Sequence, residues 1–477
     1  MENNPNIETE NIKIELDGKK VRINDVLRIT QDEKLKNLER LSLRYNNLGN
    51  DSAMLIGSNN TWSKLKELYL SVNQIGDDGA WAIGNNLTWV NLIDLRLAVC
   101  QIGEKGAVCI GNNTVWKNLR TLSLGNNKIG DKGAEAIGRN TVWTNLEELF
   151  LQSNQIGNSG CIAIGKNTFW SKLKTLELQM NQIGDEGAIA IGENTTWKNL
   201  EELLLNHNQI QDNGAIAIGK NTTWSNLKRL ELSGNKIEAE GGKALGSNAT
   251  WSNLREFGIN ENHIGDQGAI FLGGNSSWGN LEVIWLNSNE IGDEGAGALG
   301  RNTAWTNLVE LRLSSNNISA KGAEIIASNT SWKKLKVLSL RANEISDEGC
   351  AAIAKNSGWV HLEEVYLQRN NIADLGAKEI GNNIFWEKLK RLDLSENMIS
   401  NEGIVTMAMN KVWVQIEELG LSSNLIGYKG VCQLGQNTSW KKLRRLTLSH
   451  NSRIKREEQN ALKSNLLFGD KLCIEGY

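Results

Sequence analysis

The sequence repeats itself every 27 residues, and this period constrains the fold more than any other feature of the chain. A tryptophan marks each period, with no insertion or deletion along the run. The positions are Trp62, Trp89, Trp116, Trp143, Trp170, Trp197, Trp224, Trp251, Trp278, Trp305, Trp332, Trp359, Trp386, Trp413 and Trp440. A leading unit with Leu35 in the tryptophan position makes sixteen units. A strict period of this length predicts a stack of similar units, each contacting only its neighbours.

The unit from Trp143 to Phe169 illustrates how each repeat is expected to fold. Its LxxLxL pattern ends in Leu149 and Leu151, and Asn154 follows. The two leucines point to the same side of a short strand, which directs Phe150 to the opposite side. A turn and a helix of roughly eight to ten residues are expected next, too short to be stable without neighbouring repeats. The first position after the turn is Asp or Asn in most units, which predicts a helix N-cap.

Several positions are nearly constant between units, and a structural role accounts for each. The leucines and tryptophans are expected to fill the core, and the glycines from Gly79 to Gly430 to let the helices lie close together. Asparagines from Asn46 to Asn451, interrupted only by Cys100, are expected to bond the backbone at the turn after each strand. A second asparagine position includes eight N-glycosylation sequons, but it is Asn in every unit from Asn59 to Asn437. We therefore interpret it as structural.

The pattern LxxLxLxxNxIGDxGAxAI, which runs from Leu173 to Ile191, resembles the ribonuclease-inhibitor type of leucine-rich repeat. The resemblance covers about residues 35 to 465. It implies an α/β leucine-rich-repeat solenoid, a horseshoe with parallel strands on the concave face and short helices on the convex face. Two features depart from that family: the uniform length of 27 residues and the repeated tryptophan. The identity of the family's partner is therefore not transferred to this chain.

Three segments are predicted. Residues 1–34 are expected to form an N-terminal cap, with a hairpin around Asp17-Gly18 and a short helix near Asp25 to Glu33. Residues 35–454 form the sixteen-unit solenoid, and residues 455–477 a C-terminal cap with a terminal helix.

Composition excludes several classes of function. The net charge of −3 favours neither nucleic acid nor an anionic membrane as a partner, and no apolar run reaches the roughly 18 residues of a membrane span. The N terminus has no signal peptide pattern. Cys161 and Cys350 replace an alanine of other units, which favours reduced, buried thiols and a cytoplasmic location. For a bacterial protein, delivery into a host cytosol is the alternative.

Catalytic motifs are absent from the sequence. There is no CxxC or HExxH pair for a metal, no Walker loop for phosphate and no GxSxG nucleophile. The recurrent GDxGA lies beside the helices and is interpreted as turn chemistry. We therefore expect a protein that is not an enzyme and has no cofactor and no metal.

Variable positions on the outward side of the strands, and just after them, are where binding specificity is expected. Phe150, Leu204 and Trp285 are apolar at positions expected to face solvent, as interface anchors are. Nine arginines and no lysine occupy these positions, a bias that is also typical of interfaces. The predicted partner-binding residues are Tyr69, Arg96, Phe150, Glu177, Leu204, His207, Glu231, Glu261, Trp285, Arg312, Arg341, Tyr366 and Arg369.

The acidic middle units predict a partner with a basic face. A strand spacing of about 4.8 Å places Phe150 and Leu204 roughly 10 Å apart and Trp285 about 14 Å further along, a span that one protein partner can cover. The favoured function is therefore a monomeric, non-catalytic protein-interaction scaffold, acting as an inhibitor or regulator. Two alternatives remain open: a regulator of a small GTPase, resembling GTPase-activating proteins, or a bacterial effector acting in a host cytosol.

Overall fold

The repeat pattern of the sequence becomes a regular alternation of short parallel strands and short helices. The computed structural model describes residues 12–451. Contacts divide the chain into two compact units, Met1–Leu227 and Lys228–Tyr477. Among the described residues, each unit is an α/β solenoid, which confirms the predicted fold class.

The first unit contains eight strands and eight α-helices within its described residues. They are β1 (Ile12–Glu15), α1 (Ile23–Gln31), a 3-10 helix (Glu33–Leu35), β2 (Leu38–Ser42), α2 (Asn50–Gly57), β3 (Glu67–Tyr69), α3 (Gly76–Gly84), β4 (Asp94–Arg96), α4 (Glu104–Gly111), β5 (Thr121–Ser123), α5 (Gly130–Gly138), β6 (Glu148–Phe150), α6 (Asn158–Gly165), β7 (Thr175–Glu177), α7 (Asp185–Gly192), β8 (Glu202–Leu204) and α8 (Asp212–Gly219).

The second unit continues the same alternation. Its elements are β9 (Arg229–Glu231), α9 (Ala239–Gly246), β10 (Glu256–Gly258), α10 (Gly265–Gly274), β11 (Val283–Trp285), α11 (Asp293–Gly300), β12 (Glu310–Arg312), α12 (Ala320–Ala327), β13 (Val337–Ser339), α13 (Ser346–Lys355), β14 (Glu364–Tyr366), α14 (Asp374–Gly381), β15 (Arg391–Asp393), α15 (Asn401–Met409), β16 (Glu418–Gly420), α16 (Tyr428–Leu434) and β17 (Arg445–Thr447).

From β2 onward, consecutive strands within each unit pair in parallel and in constant register, so that Leu149 of β6 lies opposite Leu176 of β7. The leucines between the outward residues are completely buried. The tryptophans are also in the core, since none of the fifteen is more than 2% exposed. Some are stacked, as Trp116 and Trp143 are, with ring centroids 6.5 Å apart. The predicted core is confirmed.

The first asparagine position forms the predicted ladder of hydrogen bonds between repeats. Asn181 Oδ1 accepts from the backbone N–H of Asn154 at 2.9 Å and of Ile156 at 3.0 Å. Its Nδ2 donates to the carbonyl oxygens of Leu151 and Leu178 at 3.1 and 2.9 Å. One side chain therefore satisfies backbone groups of two repeats that would otherwise be buried without partners.

The second asparagine position is structural as well. Asn194, which starts a sequon, is only 5% exposed. Its Nδ2 donates to the carbonyls of Gly165 and Asn167 in the preceding repeat, at 2.8 and 3.0 Å. Its Oδ1 accepts from the backbone N–H of Thr196 and of Trp197. The nitrogen that would carry a sugar is thus already bonded inside the fold.

The Asp or Asn expected to cap its own helix caps the next helix instead. In α6, the N-cap position is held by Gly157, which offers no side chain. Asp131 of the preceding repeat accepts hydrogen bonds from the backbone N–H groups of Gly157 and Gly160, at 2.8 and 2.9 Å. The carboxylate reaches this far because adjacent helices are very close, and it also interacts favourably with the positive end of the helix dipole.

Glycine makes that close approach of the helices possible. A Cβ atom on Gly160 would lie 2.7 Å from the Ala134 Cβ, and one on Gly165 would lie 2.5 Å from the backbone of Ala190. Real Cβ atoms do not approach other carbon atoms so closely, so the predicted spacing role of the glycines is confirmed.

The N-terminal cap differs from the predicted hairpin. Strand β1 pairs in parallel with β2, and residues 21–22 do not form a second arm. The backbone N–H of Val21 donates instead to Asn46 Oδ1 at 3.0 Å. This N–H group therefore belongs to the asparagine ladder and not to a hairpin. The helix is present as α1 and begins two residues before the predicted start. The predicted C-terminal cap, residues 455–477, lies outside the described residues.

The described cysteines are all free thiols. Cys100, Cys161 and Cys350 are buried, and Cys109 and Cys432 are partly exposed. Burial raises the pKa of the Cys100 thiol to about 12 and raises those of Cys161 and Cys350 further. These thiols therefore stay protonated at neutral pH and act as small core residues.

Cys100→Asn is expected to raise the free energy of unfolding by about 1 kcal/mol, because it completes the interrupted ladder. The Cys100 thiol donates to the carbonyls of Leu70 and Ala98. It does not supply the amide oxygen that accepts two N–H groups in several other repeats, as Asn181 Oδ1 does. The backbone N–H of Asn73 bonds the carbonyl of Val99 instead, at 3.2 Å.

Denaturant unfolding of the parent and the variant measures this gain. Cys109→Ala is the control, because other repeats have alanine at that position, and it should change stability by less than about 0.5 kcal/mol. A Cys100→Asn protein no more stable than the parent would contradict the account of the ladder.

Candidate protein-binding surface

Within each unit, the outward side chains of the strands, with those of the residues just after each strand, form a surface that we call the sheet face. In the first unit, Phe150, Glu177 and Leu204 occupy equivalent positions on β6, β7 and β8 and lie side by side in register. Phe150 and Glu177 are partly exposed. Leu204 is only 7% exposed, so the expectation that it faces solvent is wrong. The structure thus brings together three of the predicted binding residues.

Two residues just after these strands, one of them apolar, enlarge the exposed surface. Met180 is 58% exposed, and Ser153 Oγ donates to its sulfur at 3.5 Å. His207 is exposed at the equivalent position of the next repeat. Sequence reasoning selected His207 but missed Met180, although a methionine at a position that is mostly polar in other repeats was a usable signal. We call Phe150, Glu177, Met180, Leu204 and His207 the Phe150 patch.

Carboxylates give this part of the sheet face its charge. Glu177 accepts from Gln179 Nε2 at 3.0 Å, and Glu148 from Thr121 Oγ1 at 3.1 Å. The ion pairs among residues 12–451 include neither Glu148 nor Glu177. Both groups retain acceptor capacity toward solvent, and they lie beside exposed apolar surface.

Tyr69 is placed differently from the prediction. It is only 9% exposed, and the guanidinium carbons of Arg40, Arg44 and Arg96 lie 4.9, 5.8 and 5.4 Å from its ring centre. Its hydroxyl lies 2.8 Å from a Glu67 oxygen and 3.0 Å from an Asp94 oxygen.

Burial and the two carboxylates raise the pKa of Tyr69, so the hydroxyl remains protonated. Arg96 bonds Asp94 through Nε at 3.0 Å. The expectation that Tyr69 faces solvent is therefore wrong, because surrounding cations and carboxylates cover it.

In the second unit, Trp285 is partly exposed and its indole Nε1 donates to Glu310 Oε1 at 2.7 Å. The same carboxylate pairs with Arg312, which lies directly opposite Trp285 on β12. Glu310 thus fixes the orientation of two predicted binding residues. A tryptophan held in one orientation loses little entropy when a partner covers it.

Glu231 also differs from the expectation that it faces solvent. It is 7% exposed, and its carboxylate accepts from the backbone N–H of Ser233 at 3.1 Å and from the Ser233 hydroxyl. The carboxylate lies over Gly258, where any Cβ atom would overlap it. The missing side chain of Gly258 therefore lets Glu231 lie flat on the sheet.

The remaining predicted residues of the second unit fall into two groups. Tyr366 is partly exposed and is bonded on both sides, to Glu364 Oε2 at 2.5 Å and to Arg391 Nη1 at 2.9 Å. Glu261, Arg341 and Arg369 are exposed. Within the described part of the chain, no ion pair involves any of these three.

The structure also qualifies the bias toward arginine. Six of the arginines counted on the sheet face are paired with carboxylates: Arg40, Arg44, Arg96, Arg229, Arg312 and Arg391. Their charge is largely satisfied inside the protein. Arg341 and Arg369 are better candidates for contact with a partner.

Residues 12–451 offer neither a candidate metal-binding cluster nor a candidate membrane-spanning helix. These residues contain no group of three or more His, Cys, Asp or Glu side chains able to hold a metal ion. They also contain no helix with the length and apolar character needed to cross a membrane.

The family model described as "Leucine Rich repeat" matches twelve segments that together make up more than half of the chain. They are residues 34–57, 63–84, 117–138, 144–165, 171–192, 198–219, 225–246, 280–300, 306–327, 333–354, 360–381 and 387–408. The chain belongs to the leucine-rich repeat family. No curated protein matches the sequence of this leucine-rich repeat protein.

Two solved structures, each with a TM-score of 0.50, show the same fold at low sequence identity. A leucine-rich repeat protein of Leptospira interrogans is 20% identical, with a TM-score of 0.50, and the match covers 98% of this chain and 96% of that one. A TDR receptor is 17% identical with a TM-score of 0.50, covering 92% of this chain and 65% of that one. An internalin of Listeria monocytogenes is 18% identical with a TM-score of 0.49, covering 84% and 89%. At these identities the likeness concerns the fold alone.

Proposed function

We propose that this leucine-rich repeat protein is a non-catalytic scaffold that binds a protein partner on its sheet face, as an inhibitor or regulator. Leucine-rich repeat proteins are typically interaction scaffolds. The observation that supports the proposal most strongly is the Phe150 patch, where Phe150 and Met180 leave apolar surface exposed beside Glu177. Packing does not require exposed apolar side chains at these positions, whereas protein interfaces use them as anchors.

The rigidity of the sheet supports the same function. Each strand is bonded to its neighbours in constant register, and the asparagine ladder fixes the turn that follows. Binding residues on such a frame are already ordered before a partner arrives, which lowers the entropy cost of association.

The charges favour a partner with a basic face at the Phe150 patch, since neither Glu148 nor Glu177 forms an ion pair within the described residues. Such complementarity acts mainly on the association rate, which should fall as salt is added. In the second unit, Arg341 and Arg369 would contact acidic groups of the partner.

The subtype, location and oligomeric state are part of the proposal. We assign the chain to the ribonuclease-inhibitor-like repeats, in a Trp-containing form of 27 residues, acting as a monomer in the cytoplasm. The buried free thiols of Cys161 and Cys350 support a reducing compartment. The buried sequon asparagines, such as Asn194, argue against a glycosylated protein.

Phe150→Ala and Trp285→Ala should each weaken binding of the partner at least about tenfold without loss of stability. Affinity capture with the parent and with the Phe150→Ala protein first identifies proteins retained by the parent alone. The dissociation constant of each variant is then measured with the purified partner. Leu204→Ala is less suitable, because Leu204 is nearly buried and its truncation would also reduce stability.

Ser123→Ala is the matched control, because Ser123 occupies the equivalent position on β5 and is directly opposite Phe150. It should leave the affinity unchanged. If a partner binds both alanine variants at Phe150 and Trp285 as tightly as the parent, the sheet face is not its site.

A further inference from the structure

One residue in every repeat has a left-handed backbone conformation. It stands directly before the ladder position, which is asparagine in every repeat except that of Cys100, and φ lies between 52° and 66° at all sixteen positions. The residues are Tyr45, Val72, Val99, Asn126, Ser153, Met180, His207, Gly234, Glu261, Ser288, Ser315, Ala342, Arg369, Glu396, Ser423 and His450. Glycine and asparagine adopt this conformation most easily, and the repeat uses each of them once.

Val72 and Val99 are the least suitable residues for this position. A branched Cβ atom clashes with the backbone at positive φ, so both valines strain the native state. Burial does not offset the strain at Val99, which is 44% exposed. Asn126, in the next repeat, shows that the fold accepts an unstrained residue here. Neither local conformation nor packing explains why valine stands at these two positions.

The two valines and Tyr45 form one continuous apolar strip. Tyr45 is 63% exposed, and all three line a groove of about 510 Å³. Backbone hydrogen bonds fix their spacing, since Val72 N–H donates to the carbonyl of Ala98 and Val99 N–H to that of Gly125. The amide side chains of Gln74 and Gln101 line the same groove and can bond a polypeptide backbone.

Basic residues flank the strip. Lys128 lines the apolar groove, and Lys20 and Arg22 line an adjoining cleft of about 770 Å³ that shares Tyr45 with it. Within residues 12–451, these three basic side chains take part in no ion pair. Asp51 is the acidic residue that lines the cleft. The electrostatic balance of the surface is therefore positive.

We infer that this groove is a second interaction surface, which binds an acidic segment of a protein partner. An aliphatic or aromatic side chain of the segment inserts between Tyr45, Val72 and Val99. Its carboxylates face Lys128 on one side and Lys20 and Arg22 on the other, and its backbone bonds the glutamine amides. This surface is separate from the Phe150 patch and does not depend on it.

The test uses the full chain and a displayed library of random peptides as the probe. Selection is run in parallel on the parent and on the triple variant Tyr45→Asn/Val72→Asn/Val99→Asn. We expect the parent to enrich peptides with an apolar residue flanked by Asp or Glu, and the triple variant not to enrich them.

A synthetic peptide from the selection is then used to measure affinity. Val99→Asn should weaken its binding at least about tenfold. Lys128→Glu should weaken it as well, with a larger effect at low salt. Phe150→Ala should leave it unchanged, so failure here is distinguishable from failure of the sheet-face proposal. The triple variant should melt at or above the temperature of the parent, because asparagine relieves the strain.

Four results would overturn the inference. The first is that the parent enriches basic peptides or no peptides, and the second is that the triple variant binds the selected peptide as tightly as the parent does. The third is that the triple variant melts at a lower temperature than the parent. The fourth is that the parent is a dimer and the triple variant is a monomer. The third result would mean that the valines contribute to packing. The fourth, read by sedimentation, would identify the occupant as a second copy of the chain.

Discussion

Replacing Trp143 with alanine should lower the free energy of unfolding by about 3–5 kcal/mol, the usual cost of truncating a large core side chain. Trp143 is completely buried and stacks on Trp116 with an interplanar angle of 15°. Its indole N–H has no hydrogen-bond acceptor among the described residues, so the side chain contributes through packing. Trp143→Phe should cost less than Trp143→Ala, because it leaves a smaller cavity.

Trp81 provides a matched control on helix α3. It is 57% exposed, so Trp81→Ala should change stability by no more than about 0.5 kcal/mol. Denaturant unfolding followed by circular dichroism measures both variants. Because repeat arrays can unfold in steps, hydrogen exchange in the repeats that flank residue 143 gives a local measurement. Equal stabilities of the two variants would contradict the assignment of the repeated tryptophans to the core.

Asn181→Ala is expected to lower the free energy of unfolding by about 2–6 kcal/mol. The substitution leaves two buried N–H groups without acceptors, and each such group costs about 1–3 kcal/mol. These groups belong to Asn154 and Ile156 in the preceding repeat. Two carbonyls, of Leu151 and Leu178, lose a donor as well.

Gln182→Ala, at the exposed neighbouring residue, is the control and should be nearly neutral. The amide protons of Asn154 and Ile156 should exchange faster in the Asn181→Ala protein, and those of more distant repeats should not. A loss of stability below about 0.5 kcal/mol, within the range of ordinary surface substitutions, would show that the ladder is not needed at this position.

Most of the fold could be predicted from the sequence, because the period records which residues share an environment. Leu149 and Leu151 could be assigned to the core from their spacing, and the asparagine that follows could be assigned to a turn. The same reasoning placed the tryptophans inside, since an aromatic residue required at every repeat is more useful to packing than to one site. Each of these inferences required only the pattern of one repeat and the knowledge that similar repeats pack against each other.

The features that the sequence did not reveal depend on side chains from neighbouring repeats. Tyr69 is covered by Arg40, Arg44 and Arg96, which come from the flanking repeats. Glu231 is buried because Gly258 leaves space for its carboxylate. Outward direction along a strand therefore does not guarantee exposure.

The displacement of one repeat relative to the next also made the prediction of the helix caps wrong. Asp131 was expected to cap its own helix, yet it bonds the helix that follows. Which helix a carboxylate reaches depends on how far one repeat is displaced from the next, and no pattern within a repeat contains that distance. The valines at positive φ were missed for another reason, since the backbone conformation of their position is known only from the coordinates.

Two kinds of hydrogen bond link neighbouring repeats, and they run in opposite directions along the chain. The acceptor that caps a helix belongs to the preceding repeat, whereas the acceptor that closes a turn belongs to the following repeat. This difference matters during synthesis at the ribosome. A nascent chain emerges from its N terminus, so earlier repeats are available before later ones. The acceptor for the start of each new helix, such as Asp131 for α6, has already emerged when that helix forms. The turn of the same repeat must wait, because its acceptor, such as Asn181 for Asn154 and Ile156, belongs to the repeat still to be made. During elongation the youngest complete repeat thus has a capped helix and an open turn, and the next repeat to emerge closes it.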